Sequence, residues 1–146
     1  MAKLHHFSIK AGILQGDTLA SILFIIVVDY VLRMYVDTIF TNGLDINPRK
    51  SSIYPEEHLT DTDFADDIAL ISQSLLNAQS LLHALERASN CVGLYLNESK
   101  TEFFNMCNFD NDFIIKTLNN TILNMVSDYV YLVSYISSSE KDFLTK

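Results

Sequence analysis

His58-Leu59-Thr60-Asp61-Thr62-Asp63-Phe64-Ala65-Asp66-Asp67-Ile68-Ala69-Leu70-Ile71-Ser72 is the stretch on which the reading of this chain turns. Two short strand-like runs, His58 to Phe64 and Ile68 to Ser72, flank Ala65-Asp66-Asp67. Apolar runs of that length around a short polar break predict a β-hairpin with two carboxylates at its tip. Paired carboxylates on a rigid turn form a hard-oxygen site suited to Mg²⁺, which keeps several waters and takes further ligands from substrate phosphates. Asp61 and Asp63 bring the total to four carboxylates within positions 61 to 67, a density whose self-repulsion a cation would relieve. On spacing alone, a solvated acidic turn explains the same cluster, so the rest of the chain has to decide between the two.

Working outward, Thr18 to Phe40 predicts a long, mostly buried helix, with Leu19, Ile22, Leu23, Ile26, Val27, Tyr30, Val31 and Met34 at helical spacing. Asp29 and Arg33 form an i,i+4 pair within it. Leu19 to Val36 is just long enough to span a bilayer, but those two charges would each cost a few kcal/mol near its centre, which argues against a membrane segment. Asn42-Gly43 predicts a left-handed helix stop, and the loop around Pro48 and Pro55 is the most linker-like part of the chain. Ser74 predicts the cap of a second helix, apolar at Leu75, Leu76, Ala78, Leu82, Leu85, Ala88 and Val92 and ended by Gly93. Leu94 to Leu96 and Thr101 to Met106 read as strands joined by the turn Asn97-Glu98-Ser99-Lys100. Asn119-Asn120 suits a positive-φ turn, Tyr129 to Ile136 alternates, and Ser139-x-x-Asp142 resembles another helix start.

These elements imply an α+β architecture, two helices against a small, mainly antiparallel sheet. A chain of 146 residues that is 49% hydrophobic can bury one sizeable core, and Gly 4 and Pro 2 are too few for a disordered one. Cys91 and Cys107, without any CxxC or Cys/His grouping, suggest neither a disulfide framework nor a zinc site. Met1 to Lys10 has no apolar signal region, so an intracellular protein of cytoplasm or nucleus, not a secreted one, is expected. Ten Lys and Arg against eighteen Asp and Glu leave a net charge of −8, and Arg49-Lys50 is the one adjacent basic pair. Phosphate-backbone binding needs clustered cations, so weak nucleic-acid binding by this chain, or none, is expected.

The order of four motifs resembles a family. Gly12-Ile13-Leu14-Gln15-Gly16-Asp17 before an apolar helix looks like motif B of reverse transcriptases, and Phe64 to Asp67 looks like motif C, the aromatic-x-Asp-Asp box. Gly93-Leu94-Tyr95-Leu96-Asn97-Glu98-Ser99-Lys100-Thr101 looks like motif D with its lysine, and Tyr129-Val130-Tyr131-Leu132-Val133-Ser134-Tyr135-Ile136 looks like the primer-grip hairpin. Together they resemble the RNA-directed DNA polymerase domain of non-LTR retrotransposons over about residues 9 to 138.

The resemblance implies a polymerase-palm-like antiparallel sheet packed on two helices, with a partial palm over residues 1–108 and primer-grip-like hairpins over 109–146 leading toward a thumb. It implies nucleotidyl transfer from dNTP to a DNA primer on an RNA template, using two Mg²⁺ ions. Asp66 and Asp67 would carry the metals, and Gln15 and Gly16 would border the incoming nucleotide and template base. Lys100 would protonate or neutralise the pyrophosphate leaving group. Taken singly, Lys100 is equally a solvated turn lysine, Gln15 a polar residue at a helix start, and Asp17 a helix N-cap. His5, His6, His58 and His83 lack metal-ligand spacing and suit structural or solvated roles, and Tyr129, Tyr131 and Tyr135 suit a core strand face or a primer-contacting one.

Two departures matter. The family's motif A aspartate has no counterpart, since residues 1–11 contain no Asp or Glu, and Val133 stands where many relatives have Gly. The expectation is therefore a truncated palm without fingers or thumb and inactive by itself. The alternatives are a non-catalytic retrotransposon remnant and, further off, a membrane-associated protein.

Overall fold

The computed structural model describes residues 18–47, 53, 56–106 and 113–137. Helix α1 spans Thr18–Ile39 and runs into a 3₁₀ turn at Phe40–Asn42. Strands β1 (Leu44–Asn47) and β2 (Glu57–Leu59) pair antiparallel, followed by the β3 (Asp61–Phe64) and β4 (Asp67–Leu70) hairpin. Helix α2 covers Leu75–Cys91. Strand β5 (Glu102–Phe104) pairs in parallel with β6 (Asn124–Val126), and β7 (Asp128–Tyr131) forms an antiparallel hairpin with β8 (Ser134–Ser137). The α+β class read from the sequence holds, with the strands of the described residues arranged as four two-stranded ladders.

The core is built where α1 crosses α2. Val31 and Tyr35 of α1 meet Leu81, Leu85 and Ala88 of α2, and Ile68 and Leu70 of β4 close the same cluster. On the other flank of α2, Leu82 packs with Ile115 and Leu123, backed by Leu70, Leu96 and Phe103. Leu81 is fully buried, and burial of such a side chain stabilises the fold by roughly 1.5–3 kcal/mol.

Helix α2 is bounded as its sequence predicts. Ser74 caps it, its hydroxyl accepting from Asn77 N at 3.2 Å. At the other end Gly93, at φ 77°, donates to Asn90 O, and Leu94 N reaches Ser89 O at 3.0 Å, the paired bonds of a Schellman motif. The stop after α1 works differently from the left-handed one expected. Gly43 does not have a positive φ; a Cβ there would lie 2.5 Å from Leu59 O, so glycine is needed for the close approach of backbone where β1 begins to pair with β2.

Three further expectations are corrected. Helix α1 is not mostly buried: Val28, Val31 and Tyr35 are, while Leu19, Ile22, Ile25, Ile26, Tyr30 and Met34 are exposed. A helix apolar on every side has more apolar surface than one neighbouring helix covers, and periodicity does not say what covers the remainder. By length and composition α1 is also apolar enough over Thr18–Tyr35 to cross a membrane, although the Arg33–Asp29 ion pair at 2.8 Å interrupts it. Leu94 to Leu96 form no strand; Leu96 instead packs on the second cluster. Tyr135 does not share a face with Tyr129 and Tyr131, because it pairs with Val130, and it is exposed. The proposed helix start at Ser139 lies outside the described residues, as do Asp17, His5, His6 and Cys107.

The Asn119-Asn120 turn forms as expected, with Asn120 at φ 64° and Thr117 N donating to Thr121 O at 2.9 Å. A carboxylate ties it down: Glu98 accepts from Thr117 Oγ1 at 2.9 Å, Asn119 Nδ2 at 2.9 Å and Thr121 Oγ1 at 2.7 Å. Behind it Glu86, itself buried, accepts from Leu118 N at 2.8 Å. His83 takes the structural role its isolation suggested, its Nε2 lying 3.0 Å from Lys116 O beside Gln79.

Two outcomes follow from these local geometries. Leu132 and Val133 both have positive φ, 47° and 70°, the signature of a type I′ hairpin turn, and a β-branched side chain is strained there. Val133→Gly should stabilise the fold by about 1 kcal/mol and raise the melting midpoint by roughly 2–8 °C, with Val133→Ala giving less than half that gain in thermal melts.

The second concerns pH. The hydrogen bonds from Thr121, Asn119 and Thr117 hold the Glu98 carboxyl below its ordinary value. The native state therefore binds fewer protons than the unfolded chain in that window. Stability from Glu98 is present above about pH 4.3 and is lost as pH falls through the lowered folded value. Urea unfolding between about pH 6 and pH 3 should show a shallower decline for Glu98→Gln than for the parent chain; equal slopes would rule the contribution out.

Candidate functional site

The β3–β4 hairpin pairs Asp61 with Leu70, Thr62 with Ala69, Asp63 with Ile68 and Phe64 with Asp67, leaving Ala65 and Asp66 as a two-residue turn. Ala65 has φ 58° and Asp66 does not have a positive φ, the sign pattern of a type II′ turn, whose twist suits a tight hairpin. Asp66 thus lies at the apex and Asp67 opens the return strand, both exposed, as the sequence predicts.

Strand alternation then sorts the acidic cluster. Cross-strand partners share a face, so Asp61 and Asp63 lie with Leu70 and Ile68, whereas Asp67 lies with Phe64, Thr62 and Ala69. Ile68 and Leu70 face the helices, and Asp61 stands near buried Tyr35, whose phenol is raised by burial and further by that carboxylate. Asp61 is anchored locally, accepting from Thr60 Oγ1 at 2.5 Å. The four carboxylates are therefore not one cluster: Asp66 and Asp67 form the tip, while Asp61 sits at the base and Asp63 on the opposite face. Among the described residues no group of three His, Cys, Asp or Glu side chains is placed to hold a metal ion. The tip dyad offers hard, exposed oxygens of the right chemistry for Mg²⁺, amounting to part of a donor set.

The β7–β8 hairpin lies against this tip. The Tyr131 hydroxyl donates toward Thr62 O at 3.2 Å and Asp67 O at 3.4 Å, and Thr62 Oγ1 lies 3.4 Å from it. Tyr129 stacks on Tyr131 with ring centroids 6.4 Å apart. Burial raises the Tyr129 phenol above its ordinary value, and the Asp67 carboxylate adds to that shift. Both rings are half-buried at a junction of two hairpins, neither in the core nor free on a surface. The alternation of residues 129–136 marked them as one face but gave no sign that their partner is the acidic hairpin.

Lys100 is placed otherwise. It is exposed on the turn after Asn97, its N–H donating to Asn97 O at 3.0 Å, and that turn is anchored through Glu98 to Thr117, Asn119 and Thr121. Among the described residues Lys100 makes no ion pair with Asp66 or Asp67. Sequence reading passed over Glu98, though the hydroxyl- and amide-rich run 117–121 was the available signal for an anchored carboxylate. His58, also set aside, packs with its Nδ1 2.5 Å from Asp45 Oδ1 and holds β1 to β2. Gln15 and Gly16 lie outside the described residues.

No curated protein sequence and no solved structure gives a significant match to the chain. The family profile described as "Reverse transcriptase (RNA-dependent DNA polymerase)" matches residues 1–143, a span that includes the acidic hairpin, both helices and the tyrosine-bearing β7–β8 hairpin. With an aspartate pair raised on a two-residue turn and nearly the whole length matched, the chain belongs to the reverse transcriptase family.

Proposed function

We propose that this chain is the part of a non-LTR-type reverse transcriptase palm that supplies the motif C carboxylates for metal-assisted nucleotidyl transfer. The observation that carries the reading is the isolation of Asp66 and Asp67 at the apex of a two-residue turn, exposed and separated from Asp61 and Asp63. In this reading Asp66 is a ligand of the catalytic Mg²⁺ pair and Asp67 supports it. The ions, when bound, neutralise triphosphate charge and activate the primer hydroxyl. Gln15 and Gly16 border the incoming nucleotide and the template base, and Lys100 meets the leaving pyrophosphate. Residues 1–108 then serve as palm and 109–146 as primer grip, acting on an RNA template, a DNA primer and dNTPs. The same reading places the chain inside the cell, where a thiol such as that of Cys91 stays reduced.

The dyad supplies only part of a two-metal donor set, so binding of an ion by the chain alone should be weak. Mn²⁺ titration followed by electron paramagnetic resonance should give an affinity in the millimolar range that falls about threefold or more in Asp66→Asn. Asp63→Asn should leave it unchanged. An affinity indifferent to Asp66 would remove the dyad from the metal site.

Catalysis needs positioned reactants as well as charge, and alignment alone accounts for roughly 7–11 kcal/mol of barrier in favourable cases. The 146-residue chain by itself should therefore incorporate no dNTP on a primed RNA template with Mg²⁺ or Mn²⁺. In a polymerase assembled around it with a further metal-binding carboxylate, Asp66→Ala should lower kcat by about 10²-fold or more. Incorporation by the chain alone above an Asp66→Ala control would overturn the account of the missing ligand.

A further inference from the structure

The β3–β4 hairpin is paired only with itself among the described residues, and a lone two-stranded hairpin is at best marginally stable. What packs on its two faces therefore decides where its tip sits. One face is fixed by Ile68 and Leu70 against the helices. On the other, Phe64 is exposed, and the Tyr131 hydroxyl contacts the hairpin near its tip. That oxygen lies 3.2 Å from Thr62 O and 3.4 Å from Asp67 O, one carbonyl on each strand. Thr62 Oγ1, at 3.4 Å, can donate to the same hydroxyl and leave its proton for the two carbonyls. The stacked ring of Tyr129 limits how far Tyr131 can swing away.

We propose that Tyr131 is a positioning residue: by bridging the Thr62 and Asp67 carbonyls it fixes the Asp66–Asp67 hairpin against β7–β8, so the seat of the metal-binding dyad is set by the neighbouring hairpin. The carbonyl that Tyr131 holds belongs to a dyad residue, so its grip orients the peptide from which the Asp67 side chain departs. The dyad and the primer-grip-like hairpin then move as one unit. The inference rests on the reading of Asp66 and Asp67 as metal ligands, while the hydrogen bonds themselves do not.

The test uses the full 146-residue chain with Tyr131→Phe, which keeps the ring and its stacking but removes the hydroxyl, and Tyr129→Phe as the control. In metal-free chain followed by amide hydrogen exchange, Tyr131→Phe should speed exchange across residues 61–70 by about 3–10-fold, as expected for one net hydrogen bond. The amides of α2 should be unaffected, and Tyr129→Phe should alter neither. Mn²⁺ affinity, read by electron paramagnetic resonance, should fall about twofold or more in Tyr131→Phe and hold in Tyr129→Phe. Unchanged exchange at 61–70, or acceleration of α2 by the same factor, would sink the latch. Faster hairpin exchange with unchanged Mn²⁺ affinity would leave a structural contact and overturn the positioning role. If the parent chain shows no Asp66-dependent Mn²⁺ binding, the reading of the dyad fails and the positioning role with it, a result the metal-free exchange arm separates from failure of the latch.

Discussion

Leu70 belongs to both buried clusters. It touches the group formed by Tyr35, Leu81 and Leu85 on one side and the group formed by Leu82, Ile115 and Leu123 on the other. Because it is also the last residue of β4, the strand that returns from the acidic tip is clamped at its base by the whole hydrophobic interior. The helices supply the burial, and Leu70, with Ile68 beside it on the first cluster, transmits their rigidity to the hairpin. Close-packed interiors pass strain along, so a change at Leu81 or Leu82 of α2 reaches the hairpin through Leu70, which packs on both clusters.

The hairpin, both helix spans and the Ser74 and Gly93 signals were legible because each rests on local chemistry: a two-residue turn, apolar spacing, a hydroxyl cap, a residue free to take positive φ. What was not legible is long-range. No pattern in residues 102–104 and 124–126 announces that they pair in parallel, nor that Gly43 is required by the backbone of Leu59 and not by its own φ. The exposure of α1 has the same origin, since periodicity reports which positions are apolar and is silent on the partner. In the site, the position of Asp66 and Asp67 was readable from the turn, and the separation of Asp61 and Asp63 follows from strand alternation once register is known. The Tyr131 contact spans 69 residues and was not readable at all.

Two anchored carboxylates divide the labour of holding the irregular part of the chain. Glu98 gathers Thr117, Asn119 and Thr121, and Glu86 takes the Leu118 backbone from the buried side. The turn bearing Lys100 is thus tied to the 117–121 loop and not to the acidic tip. Glu98 and Glu86 are thus structural anchors, whereas Asp66 and Asp67 stand exposed at the hairpin tip.

The sequence distance between Tyr131 and its carbonyl partners also orders the events of folding. The β3–β4 and β7–β8 hairpins close over a few residues and can form in about 1–10 μs, whereas a contact across 69 residues must wait for the intervening chain to be organised. α2, the Glu98-anchored loop and the parallel β5–β6 ladder all lie between them. The tip thus reaches its final geometry late in folding, after the interior that supports it, and a nascent chain carries its acidic apex for a time with no fixed orientation.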